Sequence, residues 1–254
     1  MIQKHGYQVS MSGIGYYYAE SGDIELVLTQ GQAHTYPWHM HTRHWTAGLV
    51  RHGSVFLATD TDTRQLHAGQ HFFIRPYEPH SLNVEPESSL LVLCFNDSGA
   101  LPLDCAPFLR ANEKAWIDKV VTACKKNILS HTSYKNPSAT CDSLLTRSIR
   151  EVTRLMMESP AEVLRMDQMA AYAGYSQWHF LRAFQKFMKM TPHAFQLLCR
   201  LRLLRSMLRS DTASSDAAVS AGFVDQSHMH KVFKRYHGMT PGEFKKASFK
   251  LELL

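Results

Sequence analysis

Residues 218–244 read AVSAGFVDQSHMHKVFKRYHGMTPGEF, and residues 170–195 read AAYAGYSQWHFLRAFQKFMKMTPHAF. The second stretch repeats the first at an offset of 49 residues. His179 corresponds to His228, Arg182 to Lys231, Phe184 to Phe233, Phe187 to Tyr236 and Phe195 to Phe244, and Met190-Thr191-Pro192 corresponds to Met239-Thr240-Pro241. Ala170 and Gly174-Tyr175 match Ala218 and Gly222-Phe223, one residue being inserted in the second copy. Such doubling means one supersecondary unit used twice.

Each unit reads as two helices around a tight turn. In the first, Asp167 is expected to cap a short helix over 168–173, Gly174 makes the turn and Ser176 caps the next helix. Phe180, Ala183, Phe184 and Phe187 then fall at i, i+3, i+4 and i+7, a stripe to be buried. In the second, Asp225 is the cap and Met229, Val232, Phe233 and Tyr236 are the stripe. The opposite faces carry Gln177, Trp178 and Arg182 in the first copy, and Gln226, Ser227, His230 and Lys231 in the second, with His228 beside them. Polar side chains on the N-terminal part of a second helix are placed to meet base edges in a major groove. Gln177 and Ser227 serve phosphate equally well, and Lys234, Lys245 and Lys246 read as phosphate contacts or solvated charges. A long basic helix over 195–209 joins the units. If both units face one side of a duplex, their second helices enter successive grooves about 34 Å apart.

Charge supports this division. Residues 147–254 hold 17 Lys and Arg against 9 Asp and Glu, whereas residues 1–146 hold 11 against 13. One half is suited to a polyanion and the other is not. Histidine runs the other way, with 10 of 15 in residues 1–146.

The N-terminal half reads as strands. Short β-favouring runs (24–28, 45–50, 54–59, 71–74 and 90–95) alternate with Gly, Asp and Pro turn signals, the pattern of an all-β barrel or sandwich. Within it lies Pro37-Trp-His39-Met-His41-Thr-Arg-His44. Extended chain puts His39 and His41 on one face, and His80 follows a Pro-flanked segment. Neutral imidazoles so grouped suit a divalent transition metal such as Zn, Ni, Co or Fe, with His44 as a further ligand. The alternative is an organic ligand held by hydrogen bonds and packing, with the histidines structural. His34, His52, His67 and His71 are expected at the surface or at strand ends.

Two resemblances follow from these residues. The His39/His41 pair and the later Gly69…Pro76…His80 segment resemble the cupin barrel, although Thr42-Arg43-His44-Trp45-Thr46 lacks the glutamate usual in that fold. Residues 145–250 resemble the DNA-binding domain of AraC/XylS-type transcriptional regulators. That resemblance rests on Ala170, Gly174, Tyr175, Ser176, Phe180, Arg182 and Phe184, then Arg202-Leu203. In the second unit it rests on Ala218, Gly222, Phe223, Asp225-Gln226-Ser227-His228, Lys231, Phe233, Lys234, Gly238-Met239-Thr240-Pro241 and Phe244. Lys189 departs from it, standing where glycine is common.

The expected fold is therefore an α+β chain of two domains. Residues 1–100 form a cupin-like β-barrel that binds the effector or metal. Residues 101–144 form a linker with possible dimerisation helices. Residues 145–254 form an all-α domain of two helix–turn–helix units. The resemblance implies a sequence-specific regulator, more an activator than a repressor, working in the cytoplasm. Its partners would be double-stranded promoter DNA, a small-molecule or metal effector, RNA polymerase and a second copy as a homodimer. Two rival readings are a metal-dependent cupin enzyme with an appended helical domain, and an architectural DNA-binding protein whose barrel only dimerises. The missing glutamate and the doubled unit weigh against the enzyme. Scattered cysteines without CxxC argue against a disulfide scaffold. No apolar run approaches the ~20 residues of a membrane helix, and the first ten residues lack an apolar signal core.

Overall fold

The structure, a computed structural model, describes residues 13–18, 24–42, 44–96, 109–130 and 144–250. Residues 101–108 and 131–143 of the expected linker lie outside them.

Strands alternate side chains between two faces, and here both faces are covered. Strands β1 (Gly13–Tyr18), β2 (Ile24–Gln30), β3 (His34–His39), β4 (Trp45–His52), β5 (Ser54–Thr59), β6 (Thr63–His67), β7 (His71–Ile74), β8 (His80–Val84) and β9 (Ser89–Phe95) build two sheets. One has the order β1-β2-β9-β4-β7 and the other β3-β8-β5-β6. The expected barrel thus takes the form of two facing sheets. On β2 and β9, Ile24, Leu26, Leu28, Leu91, Leu93 and Phe95 pack against Leu109 and helix α1 (Ala111–Ser130) through Ile117. The alternate residues Glu25, Val27, Thr29, Leu90, Val92 and Cys94 face inward and line a cavity. This double coverage is why residues 90–95 read as one continuous apolar run. Buried Glu113 of α1 bonds Arg51 of β4 at 2.5 Å and clamps the helix to the sheet.

Seven helices follow: α2 (Leu144–Glu158), α3 (Met166–Tyr172), α4 (Gln177–Met188), α5 (Pro192–Arg209), α6 (Ser214–Ser220), α7 (Gln226–His237) and α8 (Pro241–Ala247). Ser176 and Asp225 cap α4 and α7 as expected, accepting from the His179 and His228 backbone N–H at 3.3 and 2.7 Å. Asp167 does not cap α3. Arg165 occupies that position, and Asp167 sits in the first turn, paired with the Arg165 guanidinium at 3.1 Å. A carboxylate there still faces the positive end of the helix dipole. α5 begins earlier than expected because Thr191 caps it and Pro192 takes its first position. Phe180, Phe184 and Phe195 are fully buried in one core with Ile149, Val152 and Met156 of α2. Phe233 and Phe244 are fully buried in a second core.

That second core is shared with the sheets, since Ile14 and Tyr16 of β1 belong to it. After α8, a short strand β10 (Ser248–Lys250) runs parallel to β1 and becomes the edge of the larger sheet. The last helices of the repeat are therefore built onto the N-terminal sandwich.

Candidate functional site

The cavity has a volume of about 410 Å³. Its walls come from both halves of the chain: the inner faces of β2, β4, β8 and β9, residues 39–42 and His44, and from the helices Phe195, Leu198, Cys199, Arg202, Arg205, Arg209, Tyr236 and His237. The size is that of a small-molecule site, and the mix of apolar wall and few polar groups is typical of one.

Three histidines meet in it. The ring centroids of His39 and His80 are 4.2 Å apart, those of His39 and His41 5.3 Å, and those of His41 and His80 5.4 Å. One ring nitrogen from each lies within 4.8 Å of the others. His39 opposes His80 across β3 and β8, with a register irregularity between Tyr36 and His39. His39 Nδ1 donates to the Pro37 carbonyl at 2.7 Å, and His80 Nδ1 donates to the Glu78 carbonyl at 2.9 Å. A carbonyl only accepts, so these bonds place the proton on Nδ1 and leave each Nε2 lone pair free for a metal. Burial pushes the His39 pKa down. Burial and then the neighbouring imidazoles push His41 and His80 well below the ordinary histidine range. All three are neutral at pH 7, the form that ligates. His44 also lines the cavity but is outside the three-histidine group. The donor set fits a borderline cation such as zinc, nickel, cobalt or iron. Met40, between His39 and His41, is buried in the core of the first repeat.

A second polar group went unrecognised in the sequence. Glu25, on the inner face of β2, accepts from Arg205 and, at 2.9 Å, from Arg209, both on α5. Burial alone raises the Glu25 pKa, but the two guanidiniums outweigh it and hold it at about 2. Arg205 lies 5.3 Å over the Tyr16 ring and Arg209 4.2 Å over the Tyr18 ring. Arg202 donates to Thr42 Oγ1 at 3.3 Å and to the Met157 carbonyl at 3.1 Å, and Arg200 to the Pro160 carbonyl at 3.0 Å. The arginines of α5 thus turn toward protein groups, so the basic character of this helix serves the interior. Cys94 and Cys199 also line the cavity; burial pushes their thiols up to about 12 and about 11, which leaves them unreactive.

The end of α7 closes the site. The Gln32 side chain donates to the Gly238 carbonyl at 3.2 Å, and Tyr16 Oη donates to the His237 carbonyl at 3.4 Å. His34 is half-buried, 4.5 Å from the Tyr36 ring, whereas His52, His67 and His71 are exposed. At the start of α7, Gln226, Ser227, His228 and Lys231 are exposed, as are Gln177, Trp178 and Arg182 on α4. Trp178 is 76% exposed, too open for a core residue. His230 differs: it is half-buried and its Nε2 is enclosed without a hydrogen-bond partner.

A sandwich enclosing a ligand-sized cavity, packed against two helix–turn–helix units, is the architecture of a transcriptional regulator with a ligand-binding domain. Comparison with known proteins agrees. Residues 3–100 match the AraC-like ligand binding domain, and residues 169–247 match a helix-turn-helix domain. The RCS-specific HTH-type transcriptional activator RclR of Escherichia coli (strain K12) is 30% identical over 142 residues, 56% of this chain and 45% of that protein. The chain thus spans less than half the length of that relative. The probable transcription factor PqrA of Proteus vulgaris is 31% identical over 85 residues, 33% of this chain and 70% of that protein. The crystal structure of ToxT from Vibrio cholerae has the same fold, with a TM-score of 0.58 at 10% identity over 89% of this chain and 98% of that one. The chain belongs to the AraC family of transcriptional regulators, and its relatives are regulators rather than enzymes. No helix among the described residues is long and apolar enough to cross a membrane.

Proposed function

We propose that this regulator reads promoter DNA with α4 and α7 and that a small effector in the cavity sets its DNA affinity. The observation that carries this reading is the shared wall: the cavity touches α5 and the Tyr236–His237 end of α7 as well as the sandwich. An effector that fits one arrangement of these elements better than another shifts the regulator between them. Gln177, Trp178, Arg182, Gln226, Ser227, His228 and Lys231 are the proposed DNA contacts, and their exposure supports the assignment. A divalent transition metal held by His39, His41 and His80 is proposed as part of the effector site, supported by their grouping and by the free Nε2 of His39 and His80. The metal would present a Lewis-acidic anchor to a ligand's donor atom; the protein supplies its three nitrogens and the carbonyls that orient two of them. Activation through RNA polymerase, a homodimer and a cytoplasmic site of action take their support from the family. The activator sense also follows the name of RclR. A division into residues 1–100, 101–144 and 145–254 is proposed, with β10 of the last part pairing with β1 of the first.

The test is DNA binding by the full chain to its own and neighbouring upstream regions, against random duplex, over a salt series. A salt-sensitive preference for particular upstream sites is expected. Equal affinity for random duplex sinks the reading. Metal content of untagged protein, beside that of the His39→Ala/His80→Ala variant, tests the metal. Near-stoichiometric metal lost in the variant is expected, and metal-free wild type leaves an organic effector alone in the site.

A further inference from the structure

We propose that the effector is an organic carboxylate, bound by Arg205 and Arg209 alongside Glu25. This names the ligand class of the cavity and rests on the effector reading above.

The charge pattern points to it. Glu25 is the only acidic residue that lines the cavity among the described residues, and it is shared by two guanidiniums. One carboxylate cannot neutralise two arginines, so a unit of positive charge is left in a wall where the side chains are only 15–19% exposed. Uncompensated charge in such a place is unfavourable and calls for an anion. The hydrogen-bond inventory points the same way. Each guanidinium carries five N–H groups. Nε of Arg205 and Nε of Arg209 are both enclosed without a partner, and so is Nε2 of the adjoining His237. Two guanidinium N–H groups without acceptors beside one ion pair leave donors for further acceptor oxygens. A planar carboxylate matches the guanidinium fork, which is the geometry of the strongest charge-assisted bonds.

The remaining wall decides between an organic acid and an inorganic anion. Val27, Leu82, Leu90, Val92 and Leu198 face the same space. They would hold a hydrocarbon body that phosphate or sulfate lacks, and 410 Å³ is room for one. Because Glu25 belongs to the sandwich and both arginines to α5, a ligand carboxylate entering here alters the ionic tie between sensor and DNA-binding helices.

The experiment titrates the full chain with benzoate and hexanoate and with their neutral amides, at constant ionic strength, reading calorimetric affinity and DNA affinity together. The acids are expected to bind and to change DNA affinity while the amides do neither. Glu25→Gln removes a competing negative charge and should tighten the acids by about tenfold without helping the amides. Arg209→Gln should abolish the preference for acids, and it serves alone if Glu25→Gln does not fold. Acids and amides that act equally overturn the carboxylate assignment and leave the effector reading standing. Acids that bind through Arg209 without changing DNA affinity keep the site and overturn the effector reading. Failure of every probe on both wild type and Glu25→Gln overturns the carboxylate site.

Discussion

The two helix–turn–helix units are built to one pattern and anchored in different ways. The first, α3–α4, packs its phenylalanines against α2 and meets the sandwich through Met40 and through Lys189, 3.8 Å from Asp60. The second, α6–α7, shares its core with Ile14 and Tyr16, and the end of α7 lies on β3 and in the cavity wall. The turn after each second helix shows the same contrast. Gly238 takes a left-handed φ of 74°, and a Cβ there would come within 2.9 Å of Ile14 Cδ1. Lys189, its counterpart, takes the left-handed φ of 58° with a side chain in place. The repeat thus divides its labour: the second unit shares its core with the sandwich and meets the cavity through the end of α7, while the first meets it from its own core, through Phe195, Cys199 and Met40.

The contrast can be broken most forcefully in the cores. Phe184→Ala and Phe233→Ala should each cost about 3–5 kcal/mol in denaturant unfolding, because both side chains are fully buried. Only Phe233→Ala should also raise amide exchange in β1, which shares its core. Equal exchange in the two variants would mean that the units are anchored alike.

Acid provides the next test. The folded Glu25 pKa of about 2 lies below the usual 4.5. The unfolded chain therefore takes up the proton first, and the pair stabilises the fold above about pH 4.5. That stability, on the order of 3 kcal/mol, disappears as pH falls through 2. Urea midpoints measured between pH 5 and 2.5 should fall more steeply for wild type than for Glu25→Gln. Parallel curves would remove the ion pair from the junction.

On DNA, Arg182→Ala and Lys231→Ala should each weaken specific binding by about 2 kcal/mol if the residue reads a base. Equal loss on specific and random duplex would reduce that residue to a phosphate contact. Effects of equal or smaller size belong to the turns. Gly238→Ala should destabilise by about 2 kcal/mol, and Lys189→Gly should stabilise by about 1 kcal/mol by relieving a strained backbone. The same sign at both sites would show that the turns are not distinguished by their packing.

Much of this was readable from periodicity. The apolar runs of β2, β4, β5, β7 and β9 and the stripes of α4 and α7 are local patterns, and they gave elements within a few residues of those observed. The histidine group was readable too, because imidazoles two residues apart on extended chain share a face. Glu25 was not, since an acid alternating with Ile24 and Leu26 looks like an ordinary solvent-facing strand residue. Arg205 and Arg209 looked like part of a basic helix for the same reason. Which face of a strand or helix meets solvent is decided by distant chain, and here α5 covers what β2 exposes. His230 shows the converse: helical spacing put it on the free face, but the fold half-buries it and encloses its Nε2.

Strand β10 has a consequence for how the molecule is made. Its partner β1 is synthesised more than 200 residues earlier, with Tyr16 set against Ser248. Until the late strand emerges from the ribosome, the first sheet carries an open edge of unpaired backbone groups, the kind of template on which nascent chains associate. Completion of the first sheet is thereby delayed until both helix–turn–helix units exist, so a polypeptide interrupted midway carries an unfinished sheet rather than a complete N-terminal domain.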